Sequence, residues 1–148
     1  MRKILIIGAG KSSSYLIKFL IEQSTKEDIQ IIIADKSLDL ANKLCNNHSN
    51  TKTVTFNLFD EQERLKLIKS SDIVVSMLPA RLHMLIAKDC ITCKKNLVTA
   101  SYVSKEMQDL DNDVCNKGLI FLNEVGVDPG LDHMSAMQVI DRIRDNDA

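Results

Sequence analysis

Lys-Ile-Leu-Ile-Ile-Gly-Ala-Gly-Lys-Ser-Ser, residues 3–13, is the stretch of sequence that decides the fold. It begins with a short apolar run that ends at Gly8, and such a run is typical of a strand buried on both faces. The next segment, 12–23, has apolar residues at the spacing of an amphipathic helix, namely Tyr15, Leu16, Phe19 and Leu20. The sequence therefore predicts a strand, a glycine turn and a helix, in that order.

The same alternation continues along the chain. Further strands are predicted at 29–34, 53–56, 72–77, 96–100 and 119–123. Helices are predicted over 37–47, from Asp60 onward, and over 81–94, 104–116 and 131–144, with Ser37 and Ser104 as N-caps. Strands that alternate with helices through short connections form right-handed parallel crossovers. We therefore expect a Rossmann-type α/β fold, a doubly wound and mainly parallel sheet in three α/β/α layers.

Length and composition limit the classes of function. The chain has 148 residues, the size of a single domain, with 19 Lys and Arg against 20 Asp and Glu. This balance and the low aromatic content argue against nucleic acid as a partner. The first apolar run is too short to span a bilayer, so no membrane partner is expected. Four cysteines without an export signal predict reduced thiols and a cytoplasmic location.

The loop Gly-Ala-Gly-Lys-Ser-Ser, residues 8–13, has the context of a dinucleotide-binding fingerprint. Gly8 allows a tight turn, and Gly10 allows the backbone to approach a pyrophosphate. The N–H groups that begin the helix, at Lys11, Ser12 and Ser13, would face the phosphates. Ser13 replaces the third glycine of the motif, and this departure weakens it. The alternative is that the glycines only form a turn.

Asp35 supplies an independent indication. It ends the second strand, 22 residues after Ser13, where a carboxylate accepts hydrogen bonds from ribose hydroxyls. The alternative is that Asp35 caps the next helix. A 2′-phosphate close to Asp35 would be repelled by about 4 kcal/mol per unit charge, and the adjacent Lys36 would offset part of this. The sequence therefore favours NAD as the cofactor, with NADP as the other possibility.

Three longer segments resemble one protein family. They are Ser-Met-Leu-Pro at 76–79, Asn-Leu-Val-Thr-Ala-Ser-Tyr-Val-Ser at 96–104 and Asn-Glu-Val-Gly-Val-Asp-Pro-Gly-Leu-Asp-His-Met at 123–134. The sequence resembles the glutamate-forming saccharopine dehydrogenases from the first strand to about Met137. The resemblance implies reversible conversion of saccharopine to glutamate and 2-aminoadipate semialdehyde in lysine metabolism, with a nicotinamide cofactor.

The resemblance also implies roles for particular residues. It places Tyr102 and Asp128 at the saccharopine site, as catalytic residues that handle protons or orient the substrate. Residues expected to contact the substrate with them are Ser101, Pro129 and Gly130. The end of the fourth strand, at Leu78 and Pro79, is expected to lie beside the nicotinamide half of the cofactor. Considered without the family, Asp-Pro-Gly is ordinary turn chemistry.

Other candidate residues have a simpler structural interpretation. Asp132 is interpreted as a residue that stabilises free N–H groups at a helix N-terminus, and His133 as a packing or capping residue. A single histidine in a helix, as at His83, is more often structural than chemical. Cys90 and Cys93 lack a second Cys or His pair, so they are interpreted as core thiols, and no metal site is expected.

The family's chains are longer than this one. The resemblance implies a dinucleotide-binding domain at 1–140, with 141–148 beginning the connection to a C-terminal domain for substrate binding and dimerisation, so a homodimer is possible in a full-length protein. No cluster of arginines near Asp128 is evident for the carboxylates of saccharopine. We therefore expect a cofactor-binding piece of the enzyme. The alternatives are a non-catalytic NAD(P) sensor or partner-docking module, and an oxidoreductase for another carboxylated amine.

Overall fold

The computed structural model describes residues 1–45 and 48–145. One parallel sheet has the strand order β3-β2-β1-β4-β5-β6. The strands are β1 Arg2–Ile7, β2 Ile29–Asp35, β3 Thr51–Thr55, β4 Ile73–Ser76, β5 Asn96–Thr99 and β6 Phe121–Leu122. The order reverses between β1 and β4, which is the doubly wound arrangement. The predicted fold class is confirmed.

Helices cover both faces of the sheet. Their bounds are α1 Ser14–Ser24, α2 Leu38–Cys45, α3 Glu61–Lys69, α4 His83–Cys93, α5 Lys105–Gln108, α6 Asp111–Asn116 and α7 Leu131–Asp145. Helices α1 and α2 pack on one face, around Ile17 and Ala41. The other face packs against α3, α4 and α5 through Ile68, Ile86 and Met107. Strand β1 is buried between the two layers because its residues alternate between the two cores.

Two of the predicted elements differ clearly from the structure. Residues 104–116 form two short helices because the N–H of Leu110 bonds to the carbonyl of Met107, three residues back, which tightens the chain. The last strand is shorter than predicted. The N–H of Leu119 donates to the carbonyl of Val114, so it is not available for pairing in the sheet. The end of the helix predicted to reach Asn47 lies outside the described residues.

Two predicted helix starts carry side-chain caps, and the cap at Ser104 is the one that the sequence predicted. The Asp60 carboxylate accepts a hydrogen bond from the N–H of Glu63 at 3.1 Å, and the Ser104 hydroxyl accepts one from the N–H of Met107 at 3.2 Å. Helix α7 runs to Asp145 without a break, so the boundary predicted at 140/141 lies inside it, and 146–148 lie outside the described residues. No helix in the described part of the chain has the length and apolarity needed to cross a membrane.

A buried ion pair fixes α3 against α4. Arg64 Nε lies 2.6 Å from Asp89 Oδ2, and Arg64 also donates to the carbonyl oxygen of Leu58 at 2.7 Å. Both charged residues are 7% exposed. Truncating one partner of such a pair leaves the other charge buried without compensation. The pair therefore helps to set the position of α3 relative to α4.

Candidate functional site at the carboxyl edge of the sheet

All predicted functional residues follow the carboxyl ends of strands. The glycine loop follows β1, Asp35 ends β2, Pro79 follows β4, Tyr102 follows β5 and Asp128 follows β6. Because the strands are parallel, these ends lie along one edge of the sheet. In open α/β sheets, ligands bind in the crevice at this edge, where the strand order reverses.

The glycine loop makes a sharp turn between β1 and α1. Gly8 has a φ of +107°, and a Cβ there would lie 3.0 Å from the Met77 carbonyl oxygen, so only glycine fits without strain. Residues Lys11–Ser13 form a 3-10 turn that leads into α1. Ser13 is fully buried, and its hydroxyl donates to the carbonyl oxygen of Gly10 at 2.8 Å. The serine thus occupies the position of the third glycine and closes the turn.

The outer side of this loop suits a diphosphate. The N–H groups of Gly10, Lys11 and Ser12 have no hydrogen-bond acceptor within residues 1–45 and 48–145. Gly10 is exposed, and a Cβ built on it would meet nothing within 4 Å. Free N–H groups at the start of a helix, next to open space, form an anion-binding site. The residues present therefore fit the phosphates of a dinucleotide.

Asp35 is turned toward this loop. Its Oδ2 accepts a hydrogen bond from the N–H of Ala9 at 2.7 Å, and its Oδ1 accepts one from the N–H of Ser37 at 2.8 Å. The carboxylate thus ties the glycine loop to the end of β2, a structural role that the ribose interpretation did not include. Each oxygen of a carboxylate has a second acceptor position, so a ribose hydroxyl can still be bound. Lys36, the next residue, is exposed.

The end of β4 forms the neighbouring wall. The N–H of Met77 bonds to the carbonyl of Ile7 at 2.9 Å, which holds this segment beside the glycine loop. Leu78 is half-buried and Pro79 is exposed. The carbonyl of Pro79 accepts the N–H of Leu82 at 2.8 Å at the start of a short 3-10 turn, Ala80–Leu82. The predicted nicotinamide-side residues therefore lie next to the phosphate cradle.

Tyr102 and Asp128 are brought together, as the resemblance implied. The Tyr102 hydroxyl donates to Asp128 Oδ1 at 2.6 Å, although 26 residues separate them. The hydrogen bond to this carboxylate is the largest of the effects that raise the pKa of Tyr102 to about 12. Tyr102 is therefore neutral at physiological pH and acts as a hydrogen-bond donor. One oxygen of Asp128, Oδ2, remains for another partner.

The turn that carries Asp128 is closed by two glycines. Gly126 donates its N–H to the carbonyl of Pro129 at 2.9 Å. Gly130 has a φ of +146°, and a Cβ there would overlap the backbone of Gly126. Pro129 and Gly130 are buried while Asp128 is exposed. The two predicted substrate residues Pro129 and Gly130 thus support the turn, and the Asp128 side chain projects from it.

His133 lies beside the Tyr102–Asp128 pair and packs against Tyr102, which agrees with the packing role predicted for it. Its ring meets the Tyr102 ring edge-on, with centroids 6.3 Å apart, and its Nδ1 lies 2.9 Å from Asp132 Oδ1. The same Asp132 oxygen accepts the N–H of Gly130 at 2.9 Å, just before α7. Asp132 therefore supports the turn that carries Asp128 as well as the histidine. Hydrogen bonds from the backbone N–H groups of His133 and Gly130 and from the His133 ring keep the pKa of Asp132 below its usual value.

His83 joins two strand ends, which the sequence interpretation missed. Its Nδ1 lies 2.8 Å from Ser76 Oγ at the end of β4, and its Nε2 lies 2.8 Å from Ser101 Oγ after β5. Burial lowers the pKa of His83, which favours the neutral ring. A nearby cleft of about 420 Å³ has Arg81, His83 and Tyr102 among its lining residues. Arg81 thus places a cation at this edge of the sheet.

The cysteines are distributed as core and surface thiols. Cys90 is buried, and burial raises its pKa to about 12, while Cys93 is half-buried and its pKa is raised for the same main reason. Thiols with raised pKa values are poor nucleophiles at neutral pH. This agrees with the structural interpretation of both residues.

Comparison with known proteins extends this picture. A family model described as the saccharopine dehydrogenase NADP binding domain matches residues 4–122. Alpha-aminoadipic semialdehyde synthase, mitochondrial, of Rattus norvegicus is 35% identical over 145 residues. Saccharopine dehydrogenase [NADP(+), L-glutamate-forming] of Saccharomyces cerevisiae is 29% identical over 142 residues. Both alignments cover nearly the whole of this chain, 97% and 96%.

The structure agrees with these sequence matches. The solved apo structure of saccharopine dehydrogenase (L-Glu forming) from Saccharomyces cerevisiae superimposes with a TM-score of 0.86 at 28% identity over 97% of this chain. The chain spans 15% of the length of the rat protein and 31% of the yeast enzyme. The family model covers well over half of the residues, including the glycine loop and the segment around Tyr102. The chain therefore belongs to the saccharopine dehydrogenase NADP-binding domain family, as its sequence motifs predicted.

Proposed function

We propose that this domain binds NADP(H) and contributes it to a glutamate-forming saccharopine dehydrogenase reaction. The observation that carries the proposal is the hydrogen bond between Tyr102 and Asp128 at the same sheet edge as the open phosphate cradle. A protein that only senses a nucleotide has no need for a paired phenol and carboxylate there. The family to which the chain belongs supports the same reaction.

The proposed cofactor is NADP rather than NAD. The preference for NAD rested on the negative charge of Asp35, and it is not confirmed. Both Asp35 oxygens already accept backbone N–H groups, which offsets part of that charge. Lys36 is exposed directly beside it and supplies a cation for a 2′-phosphate. The family description and the name of the yeast relative both specify NADP.

Different parts of the proposed cofactor contact different strand ends along the carboxyl edge of the sheet. The N–H groups of residues 10–12 bind the diphosphate, and Gly8 and Ser13 shape the turn. Asp35 and Lys36 bind the adenosine ribose and its 2′-phosphate. Leu78 and Pro79 form the wall against the nicotinamide half. This arrangement extends the dinucleotide from β2 across β1 to β4.

The substrate is proposed to bind beside the Tyr102–Asp128 pair, on the side of Asp128 Oδ2. When bound, the cofactor accepts a hydride from the carbon that carries the secondary amine. Asp128 holds the nitrogen of that amine through Oδ2 as a charge-assisted pair, and Tyr102 fixes Oδ1. Ser101 supplies a further hydroxyl, and Arg81 a cation for one substrate carboxylate. Water then adds to the imine carbon, and the C–N bond breaks as the nitrogen gains a proton, which gives the aldehyde and the free amine of glutamate.

Calorimetric titration of the chain with NADPH, NADH and saccharopine tests the proposal. We expect NADPH to bind at least about tenfold more tightly than NADH, a difference of about 1.4 kcal/mol. Lys36→Ala is expected to reduce this preference, whereas Lys94→Ala, an exposed lysine at the end of α4, is the matched control. Failure of the chain to bind NADPH refutes the proposal.

A second measurement separates the enzyme from a nucleotide sensor. In a protein that turns over saccharopine, Asp128→Asn should lower the rate while NADPH affinity stays the same. If saccharopine binding and turnover are unaffected by Asp128→Asn, the non-catalytic alternative is favoured. A cytoplasmic location and a homodimer remain predictions, the first from the cysteines and the second from the resemblance.

A further inference from the structure

A buried histidine, His83, connects the ends of β4 and β5 and lines the same cleft as Tyr102. Ser76 is 1% exposed and His83 is 4% exposed, so water does not complete their hydrogen bonds. Ser76 Oγ and Ser101 Oγ each lie 2.8 Å from a different nitrogen of the ring. Ser101 is only half-buried, so one end of this three-residue chain reaches the edge of the site.

The burial of Ser76 fixes the direction of the hydrogen bonds. Among the residues that the structure describes, His83 Nδ1 is the sole acceptor within reach of the Ser76 hydroxyl. A buried donor without an acceptor is costly, so Ser76 must donate to Nδ1. A neutral imidazole that accepts at Nδ1 carries its proton on Nε2. That N–H then donates to Ser101 Oγ.

This direction leaves the Ser101 proton free. Because Ser101 Oγ accepts from His83, its own O–H is available to donate away from the histidine. We propose that His83 is a positioning residue, which holds Ser101 as an outward donor for an oxygen acceptor on the bound ligand. Burial lowers the pKa of His83, so the ring is neutral in the range in which this arrangement operates.

The acceptor that fits is a carbonyl-type oxygen. Ser101 lies between the end of β5, which pairs with β4, and Tyr102. It is half-buried, so its hydroxyl is within reach of a ligand at the edge where cofactor and substrate are proposed to meet. The nicotinamide carboxamide and the carboxylates of an amino-acid substrate both supply such an oxygen. This inference rests on the proposed function for the identity of the ligand, but its hydrogen-bond direction rests on the chain alone.

Nuclear magnetic resonance of the protein labelled with ¹⁵N-histidine tests that direction without a ligand. The chain has three histidines, and the signals of His83 are identified by their loss in His83→Gln. We expect a protonated Nε2 and an unprotonated Nδ1 at neutral pH. A proton on Nδ1, or on both nitrogens, overturns the proposal whatever the protein binds.

Ser101→Ala tests the donor. Loss of one hydrogen bond corresponds to about 3- to 10-fold weaker binding. If the acceptor is the carboxamide, NADPH binds more weakly while 2′-phospho-ADP-ribose, which lacks nicotinamide, binds as before. If the acceptor is a substrate carboxylate, the loss is confined to saccharopine added to the NADP⁺ complex. A loss in none of these, or an equal loss for NADPH and 2′-phospho-ADP-ribose, overturns the donor role.

Two amide substitutions separate positioning from simple structural support. His83→Gln places an amide N–H near the position of Nε2 and is expected to keep ligand affinity within about twofold, because one donor to Ser101 is retained. His83→Asn reaches only toward Ser76 and should show the loss seen with Ser101→Ala. Thr92→Ala, which removes an exposed hydroxyl elsewhere on α4, is the control. Equal affinities of the two His83 variants overturn the positioning role.

If the unmodified chain does not bind NADPH, the proposed function fails, and the direction of the hydrogen bonds is still decided by the histidine spectra. The two failures are therefore distinguishable.

Discussion

Replacing Gly10 by alanine should separate cofactor binding from folding. Gly10 has φ −71° and ψ 177°, an extended conformation that any residue adopts. A Cβ there meets no atom within 4 Å, so alanine adds no steric conflict. Alanine also restricts the unfolded chain, which stabilises a protein by about 0.4–1 kcal/mol at a compatible position. We therefore expect the free energy of unfolding of Gly10→Ala to stay equal or to rise slightly.

Cofactor affinity should change in the opposite direction. The open space beside Gly10 is where the diphosphate is proposed to contact the N–H groups of residues 10–12. A methyl group in that space moves the phosphates away and weakens one or two hydrogen bonds to charged oxygens, each about 1.5–3 kcal/mol. The expected loss in NADPH affinity is therefore about 10- to 100-fold. Calorimetric titration measures the affinity, and urea denaturation measures the stability.

Two other glycines provide the controls. Gly8→Ala must place a side chain at φ +107° with its Cβ 3.0 Å from a carbonyl oxygen, and we expect it to destabilise the fold by about 1–3 kcal/mol. Gly118, at φ +64° in the turn after α6, has no neighbour within 4 Å of its Cβ. Gly118→Ala should lower stability without changing NADPH affinity. Wild-type affinity in a folded Gly10→Ala protein would refute the phosphate assignment, and a large loss of stability would refute the loop geometry.

Three further changes test other parts of the structure. Asp128→Asn removes the carboxylate that raises the pKa of Tyr102 to about 12, so this pKa should fall toward 10. The pKa of Tyr102 is measured by titrating the phenol absorbance and subtracting the titration of the Tyr102→Phe variant. Asp89→Ala leaves Arg64 buried without its partner and should cost about 3–5 kcal/mol in urea denaturation, more than Arg64→Met combined with Asp89→Leu. Because the folded pKa of His83 is lowered, its contribution to stability is full above the unfolded pKa of about 6.5 and is lost as pH falls through the folded value. Denaturation at several pH values, with His83→Gln as reference, should show this loss.

Each of these expectations has a clear contrary result. An unchanged phenol titration in Asp128→Asn would mean that the 2.6 Å hydrogen bond is not made in solution. Equal stability of Asp89→Ala and the double variant would mean that the buried charge is solvated. A pH profile identical to that of His83→Gln would mean that the ring is accessible to water in the folded state.

The fold was predictable because it depends on local patterns. Apolar runs such as 4–7 and 73–75 can be buried only in a covered parallel sheet, and their order with the helices allows few topologies. The residues at which helices and strands begin and end were less predictable, because hydrogen bonds to residues distant in the sequence help to decide them. The N–H of Ile120, for example, is taken by the Asn96 side chain at 2.9 Å, and no local pattern of residues 119–123 contains that information.

The position of the candidate residues at one sheet edge was predictable, but the connections between their side chains were not. The resemblance selected Tyr102 and Asp128, and the structure places them in hydrogen-bond contact. The sequence was compatible with a ribose or a backbone group as the partner of Asp35, because an acid at the end of β2 can reach either. Only the structure shows its hydrogen bond with the N–H of Ala9. The link between Ser76 and His83 joins residues seven positions apart across a turn, without any periodic signal. Histidine as the first residue of α4, just after a strand end, was the one available indication.

The geometry favours orientation of the substrate over proton abstraction by the tyrosine. A base must lose its proton near the operating pH, but the carboxylate of Asp128 raises the pKa of Tyr102 to about 12. Tyr102 therefore keeps its proton and directs it at Oδ1, which leaves Oδ2 as the acceptor for the nitrogen of the proposed substrate. Tyr102 thus fixes the carboxylate of Asp128 and acts on the nitrogen only through it. Since Tyr102 is 60% exposed, water competes for its hydroxyl, so closure of the site by bound substrate should strengthen the pair and hold the reacting carbon toward the cofactor edge.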